Sequence, residues 1–166
     1  MRFTAQEEYG LRCMVQLAKH EGQKPVTIHV IAAGEHLTPA YVGKLMRILR
    51  QGKLVDAVHG PAGGYTLARA ARAIPVGEIL GVLDGRLFEA KECGKMPGGH
   101  LACVHTSECA VRSLWASLDL LTSRVVNRVT LADLVRPEQS LSRLIHDQIP
   151  ATLAGPGARA VAGAVR

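Results

Sequence analysis

The stretch LTPAYVGKLMRILRQGKL, residues 37–54, decides how the rest of the chain is read. Thr38 brings the hydroxyl of an N-cap, Pro39 the fixed backbone angle of a first helical position, and Gly52 an end signal. Between them Val42, Leu45, Met46 and Leu49 recur at the spacing of one buried helix face. The opposite face carries Ala40, Gly43, Lys44, Arg47 and Gln51, small at its start and cationic further along. Just upstream, the segment after Thr27 predicts a helix from Ile28 to about His36. Two helices joined by a very short turn, the second with a cationic outer face, read as a helix-turn-helix.

The flanks agree. Leu54 to Val58 alternates like a half-buried strand, His59-Gly60-Pro61-Ala62-Gly63-Gly64 is a turn, and Tyr65-Thr66-Leu67 returns. Alone, a glycine-rich hairpin is an ordinary turn; directly after a recognition helix it is the wing of a winged helix. Its glycines let the backbone approach a phosphate chain closely. Upstream, Thr4 and Glu7 form a capping box for a helix over Ala5–Glu21. Leu11, Met14, Val15 and Ala18 share its apolar face, and Cys13 belongs to the core beside them.

Downstream, a short apolar helix is predicted from Ile74 to Leu83, then an irregular stretch over 86–109. A long helix follows from about Cys109 to Asn127, with a heptad-like seam of Val111, Leu114, Trp115, Leu118, Leu121, Val125 and Val129. So apolar a helix outside a small domain needs a partner surface, and a second copy is the simplest source. Thr130 caps a last short helix over Leu131–Val135. From Pro150 the chain is mostly Ala, Gly, Pro and Val with two Arg, and has neither helical stripe nor alternation. The expected architecture is mainly α with a small β-hairpin wing. A winged helix-turn-helix spans 1–75, a cysteine loop and dimerisation helix span 76–136, and a largely disordered C-terminal extension spans 137–166.

Composition limits the function classes. Of 166 residues, 48% are apolar and 20% charged, which marks a globular chain. Aromatics at 4% are too few for base-stacking platforms. No apolar run approaches the ~20 residues of a membrane span, and the charged N-terminus lacks a signal-peptide core, so a cytoplasmic protein without a membrane partner is expected. No glycine-rich dinucleotide loop follows a strand and no Ser-His-Asp order is present, so an enzyme is not expected. The net charge of +6 is uneven: residues 1–75 carry +5 and the remainder +1. Much of the excess sits at Lys44, Arg47, Arg50 and Lys53, which points to a polyanion such as double-stranded DNA.

Three of the four cysteines, Cys93, Cys103 and Cys109, fall in the irregular stretch. Three thiolates on one loop can converge on a soft metal centre, either tetrahedral zinc or an iron–sulfur cluster. Zinc sites favour tight Cys-x2–4-Cys knuckles, which are missing here, so the spacing favours iron–sulfur. Three unrelated thiols, or thiols that act as redox sensors themselves, are the alternatives.

Several strings resemble the Rrf-type winged-helix regulators, the family of IscR, NsrR, RsrR and RirA. They are Met1-Arg2-Phe3-Thr4, Tyr9-Gly10-Leu11-Arg12, Leu37-Thr38-Pro39-Ala40-Tyr41-Val42, Gly60-Pro61-Ala62-Gly63-Gly64-Tyr65-Thr66-Leu67 and Leu131-Ala132-Asp133-Leu134-Val135. The cysteine loop ahead of a long helix adds to them, and the resemblance covers about residues 1–136. It implies a homodimeric repressor or activator that senses redox, nitric oxide or iron status through a 2Fe–2S or 4Fe–4S cluster. Cys93, Cys103 and Cys109 match the family's cysteine ligands. IscR-like members place a histidine three residues after the last cysteine, where this chain has Arg112, which cannot ligate. NsrR-like and RsrR-like members use a carboxylate on the first helix, supplied across the dimer, and Glu8 matches that position. His100 and His105 are loop alternatives. The resemblance also implies that Thr38, Ala40, Tyr41, Lys44 and Arg47 meet a palindromic operator in the major groove, with His59, Gly60, Gly63 and Gly64 at the minor groove. IscR-like members have an acidic residue at Gly43 and an arginine at His59, so base preference does not carry over, and a weaker or pH-sensitive minor-groove grip is the expectation. The competing reading is a zinc-stabilised or thiol-sensing DNA-binding module without a cluster.

Overall fold

The computed structural model describes residues 4–60, 63–83 and 109–153. Helix α1 spans Ala5–Lys19 and opens on the expected capping box, with the Thr4 amide donating to Glu7 Oε2 at 2.8 Å and the Glu7 amide to Thr4 Oγ1 at 3.2 Å. It ends two residues short of the expected Glu21. His20 is its C-cap, and the ring Nδ1 donates to the Gln16 carbonyl at 2.9 Å.

Helix α2 is Ile28–Glu35 and α3 is Pro39–Gln51, each started by a threonine whose hydroxyl accepts a backbone N–H: Val30 to Thr27 and Tyr41 to Thr38, both at 3.3 Å. The turn between them is made by His36, at φ 54° and ψ 38°. The Leu37 amide closes it on the Ala32 carbonyl at 2.9 Å. The strands β1, Val55–Val58, and β2, Gly64–Leu67, pair antiparallel, with Val55 opposite Leu67 and Val58 opposite Gly64. Val26, outside both strands, joins the hairpin as an isolated bridge: its N–H donates to Tyr65 O at 2.9 Å and its carbonyl accepts from Tyr65 N–H at 2.8 Å.

A 3-10 turn, Ala71–Ala73, leads into α4, Val76–Leu83. Helix α5 is Ala110–Arg128 and α6 is Leu131–Leu134. The body of α1–α4 and the hairpin closes around Met14, Ile31, Leu45, Met46, Leu49, Leu54 and Ile74, all without solvent exposure. The same core takes in Ile79, Leu83 and Leu131, so it extends past the boundary at residue 75 drawn from the sequence. Cys13 is buried there as expected. Burial, and secondarily the negative charge of Glu35, push its thiol up to about 12, which keeps it protonated and inert.

The C-terminal expectation is corrected over 138–153. In place of a largely disordered extension the chain forms α7, Glu138–Leu153, continuing past Pro150. Leu141, Leu144 and Ile145 fall on one helix face and pack against Val76, Leu80 and Val129, which gives this segment the burial that a disordered tail lacks. Residues 154–166 lie outside the described residues, as do Cys93, Cys103, His100 and His105.

Candidate nucleic-acid interface and metal centre

The apolar stripe of α3 (Val42, Leu45, Met46 and Leu49) is buried, which turns Ala40, Lys44, Arg47 and Arg50 outward. The helix offers an exposed small-then-cationic face of the kind that enters a major groove, where small residues allow close approach and cations neutralise phosphates. Thr38 is exposed, and its hydroxyl is engaged by the Tyr41 amide. Tyr41 is only half exposed. Its ring meets Tyr9 of α1 edge to face at 6.1 Å and 82°, so its orientation is fixed from the body.

In the wing, His59 and Gly60 are exposed, and Gly60 takes φ 115°, a conformation open to glycine. Gly63 and Gly64 have a reason within the fold. A Cβ on Gly63 would lie 2.4 Å from the Val58 carbonyl oxygen, and one on Gly64 would lie 2.6 Å from that of Val26. Close packing of the hairpin and of the Val26 rung therefore demands both glycines. Lys53, at φ 58°, turns the chain from α3 into β1 and extends the exposed basic surface.

Of the four expected metal ligands, Cys109 and Glu8 lie among the described residues. Cys109 is the N-cap of α5, and its Sγ accepts the Arg112 amide at 3.4 Å. A helix N-terminus accommodates a negatively charged sulfur well, and the side chain is only partly buried. Glu8 is half exposed on α1 and pairs with Arg12 at 2.9 Å. An exposed i,i+4 pair contributes roughly 0.3–0.5 kcal/mol, so the carboxylate is readily released to a stronger partner. A soft, accessible thiolate donor and an exchangeable carboxylate fit the ligand types of an iron–sulfur site. Among the described residues no three His, Cys, Asp or Glu side chains converge as a metal site.

The sequence reading did not single out Arg12, although its i+4 spacing from Glu8 is legible. Its guanidinium also lies 3.7 Å from Glu35 of α2 and 5.9 Å from the Tyr9 ring centre. Thus the Glu8 end of α1 touches α2 through Arg12, and α1 touches the start of α3 through Tyr9 and Tyr41.

A helix-turn-helix with a hairpin wing and an exposed basic second helix defines a winged-helix DNA-binding transcription regulator. The chain belongs to the Rrf2 family: the family profile described as "Iron-dependent Transcriptional regulator" matches residues 3–137. The protein is 32% identical to the Rrf2 protein of Nitratidesulfovibrio vulgaris over 136 residues, 82% of this chain and 88% of that one. Its fold is similar to that of CymR, the global cysteine regulator of B. subtilis, with a TM-score of 0.68 and 30% identity over 81% of this chain and 96% of CymR. It is likewise similar to T. potens IscR, with a TM-score of 0.65 and 32% identity over 81% of this chain and 86% of IscR. The family is one of transcriptional regulators, and no described helix is long and apolar enough to cross a membrane.

Proposed function

We propose that this regulator is a homodimer that senses redox, nitric oxide or iron status through an iron–sulfur cluster held by Cys93, Cys103, Cys109 and Glu8. The observation that carries this reading is the placement of Cys109. Its sulfur caps the helix whose first half exposes Val111, Leu114 and Trp115 at 62%, 56% and 48%. A candidate ligand sulfur and a half-exposed apolar seam therefore share one helix end, where a second copy would bury the seam. When bound, the cluster would supply a centre reactive toward oxidants and nitric oxide. The chain's own residues do the rest. The cysteines hold; Glu8, a hard oxygen donor, exchanges more readily than a thiolate; Thr38, Ala40, Tyr41, Lys44 and Arg47 meet the operator, with His59, Gly60, Gly63 and Gly64 at the wing. Engagement of Glu8 takes it from Arg12, which also lies beside Glu35 and over Tyr9, so the state of the site reaches the helix-turn-helix.

Anaerobic purification with iron, sulfide and absorbance assays tests this. Iron and acid-labile sulfide in the wild type, a colourless Cys103→Ala, and a shifted spectrum in a folded Glu8→Ala support it. An unchanged Glu8→Ala spectrum removes Glu8 from the ligand set, and a coloured Cys103→Ala removes the site.

The likeness to CymR favours a second reading, a DNA-binding module whose cysteines respond as thiols or hold zinc. Metal analysis separates the two: zinc or no metal in anaerobic protein would establish this alternative.

A further inference from the structure

We propose that α7 is a strap that fixes the root of α5 on the winged-helix body and so sets the direction in which the long helix leaves it. Helix α7 begins at Glu138, just beyond the last residue matched by the family profile. Its Leu141, Leu144 and Ile145 close over Val76 and Leu80 of α4 and Val129 at the end of α5, with Leu11 and Leu134 at the rim. This small core adjoins that of the body, with which it shares Leu11 and Leu134, and lies where α4, α5 and α6 meet.

The root needs such a device. Helix α5 has no buried residue along its length, so its direction is set where it rejoins the body. Two backbone bonds tie it there, Val76 N–H to Val129 O at 2.9 Å and Leu131 N–H to Ile74 O at 2.8 Å. Gly77 permits close approach on one side: a Cβ there would lie 2.1 Å from Asn127 Oδ1. Helix α7 closes the junction with its apolar face. At 1.5 Å per residue α5 is a rod of ~28 Å, so a turn of about 10° at the root moves its far end by ~5 Å. If α5 pairs with a second copy, as proposed above, that angle fixes the distance between the two α3 helices. This consequence rests on the dimer reading; the strap itself does not.

The test uses the full-length chain with Leu141→Ala, Leu144→Ala and Ile145→Ala combined, and hydrogen exchange read by mass spectrometry. The strap predicts at least tenfold faster exchange in peptides covering 74–83 and 125–134, with peptides of α1–α3 unchanged. Faster exchange confined to α7 overturns it, because the root would then hold without the strap. Equal acceleration throughout α1–α3 also overturns it, because α7 would then be an ordinary part of the core. Should the triple variant not fold, Ile145→Ala alone gives the same comparison. Sedimentation of the wild type is read separately: a monomer would defeat the dimer reading and leave the exchange result standing.

Discussion

The body of α1–α4 and the first half of α5 treat apolar residues in opposite ways. In the body, Met14, Ile31, Leu45 and Met46 are fully enclosed, and α1, α2 and α3 each start on a threonine cap. In α5, Val111, Leu114 and Trp115 repeat at the same helical spacing yet stand about half exposed. Identical periodicity therefore has two meanings. In the body it marks a face that the chain covers for itself. In α5 it marks a stripe left about half exposed, and such a contiguous stripe is less ordinary than single exposed apolar residues.

The largest expected effect breaks this comparison directly. Leu45→Ala should cost about 2–5 kcal/mol in urea unfolding, whereas Leu114→Ala should change the unfolding of the body by less than about 0.5 kcal/mol. Equal losses would show that α5 is covered within one chain. Next, Leu114→Asp with Trp115→Asp should weaken self-association at least tenfold in sedimentation equilibrium while circular dichroism stays unchanged. A monomeric wild type would remove the seam's proposed role.

A smaller effect lies at the boundary between the two regions. At Asp133, burial raises the carboxyl's pKa, but hydrogen bonds from the Thr130 hydroxyl and amide and the nearby Arg136 outweigh it and hold the group below its ordinary 3.8. A group depressed on folding contributes stability that is full above the ordinary value and lost as pH falls through the folded one. Acid titration of stability should therefore show a loss below about pH 4 that is absent in Asp133→Asn. The smallest effect is a gain. His36 holds a left-handed backbone in the helix-turn-helix, and His36→Gly should raise stability by about 1 kcal/mol, read as a higher Tm.

The second helix of the helix-turn-helix was legible to the residue. Thr38, Pro39 and Gly52 punctuate α3 so clearly that its observed limits, Pro39–Gln51, are the expected ones. Local signals also sufficed for the hairpin and for the capping box of α1. What escaped were features set by distant partners. Val26 pairs with Tyr65 as a single rung, too short to leave any alternation. In α7 the apolar Leu141, Leu144 and Ile145 face the junction, and their meaning depends on α4 and α5 lying beneath them. At the site, the cysteine cluster made Cys109 a candidate and the family resemblance made Glu8 one, but Arg12 gains significance only when Glu35 and Tyr9 are brought beside it by the fold.

The central claim is that the site on Glu8 and the cysteines governs the grip of α3 on DNA. Its most direct test is the affinity for a duplex selected from a random pool by this protein, measured anaerobically before and after removal of iron from one preparation. The account predicts at least a tenfold difference between the two forms, lost in Cys109→Ala. Equal affinity of the iron-loaded and iron-free protein would contradict it.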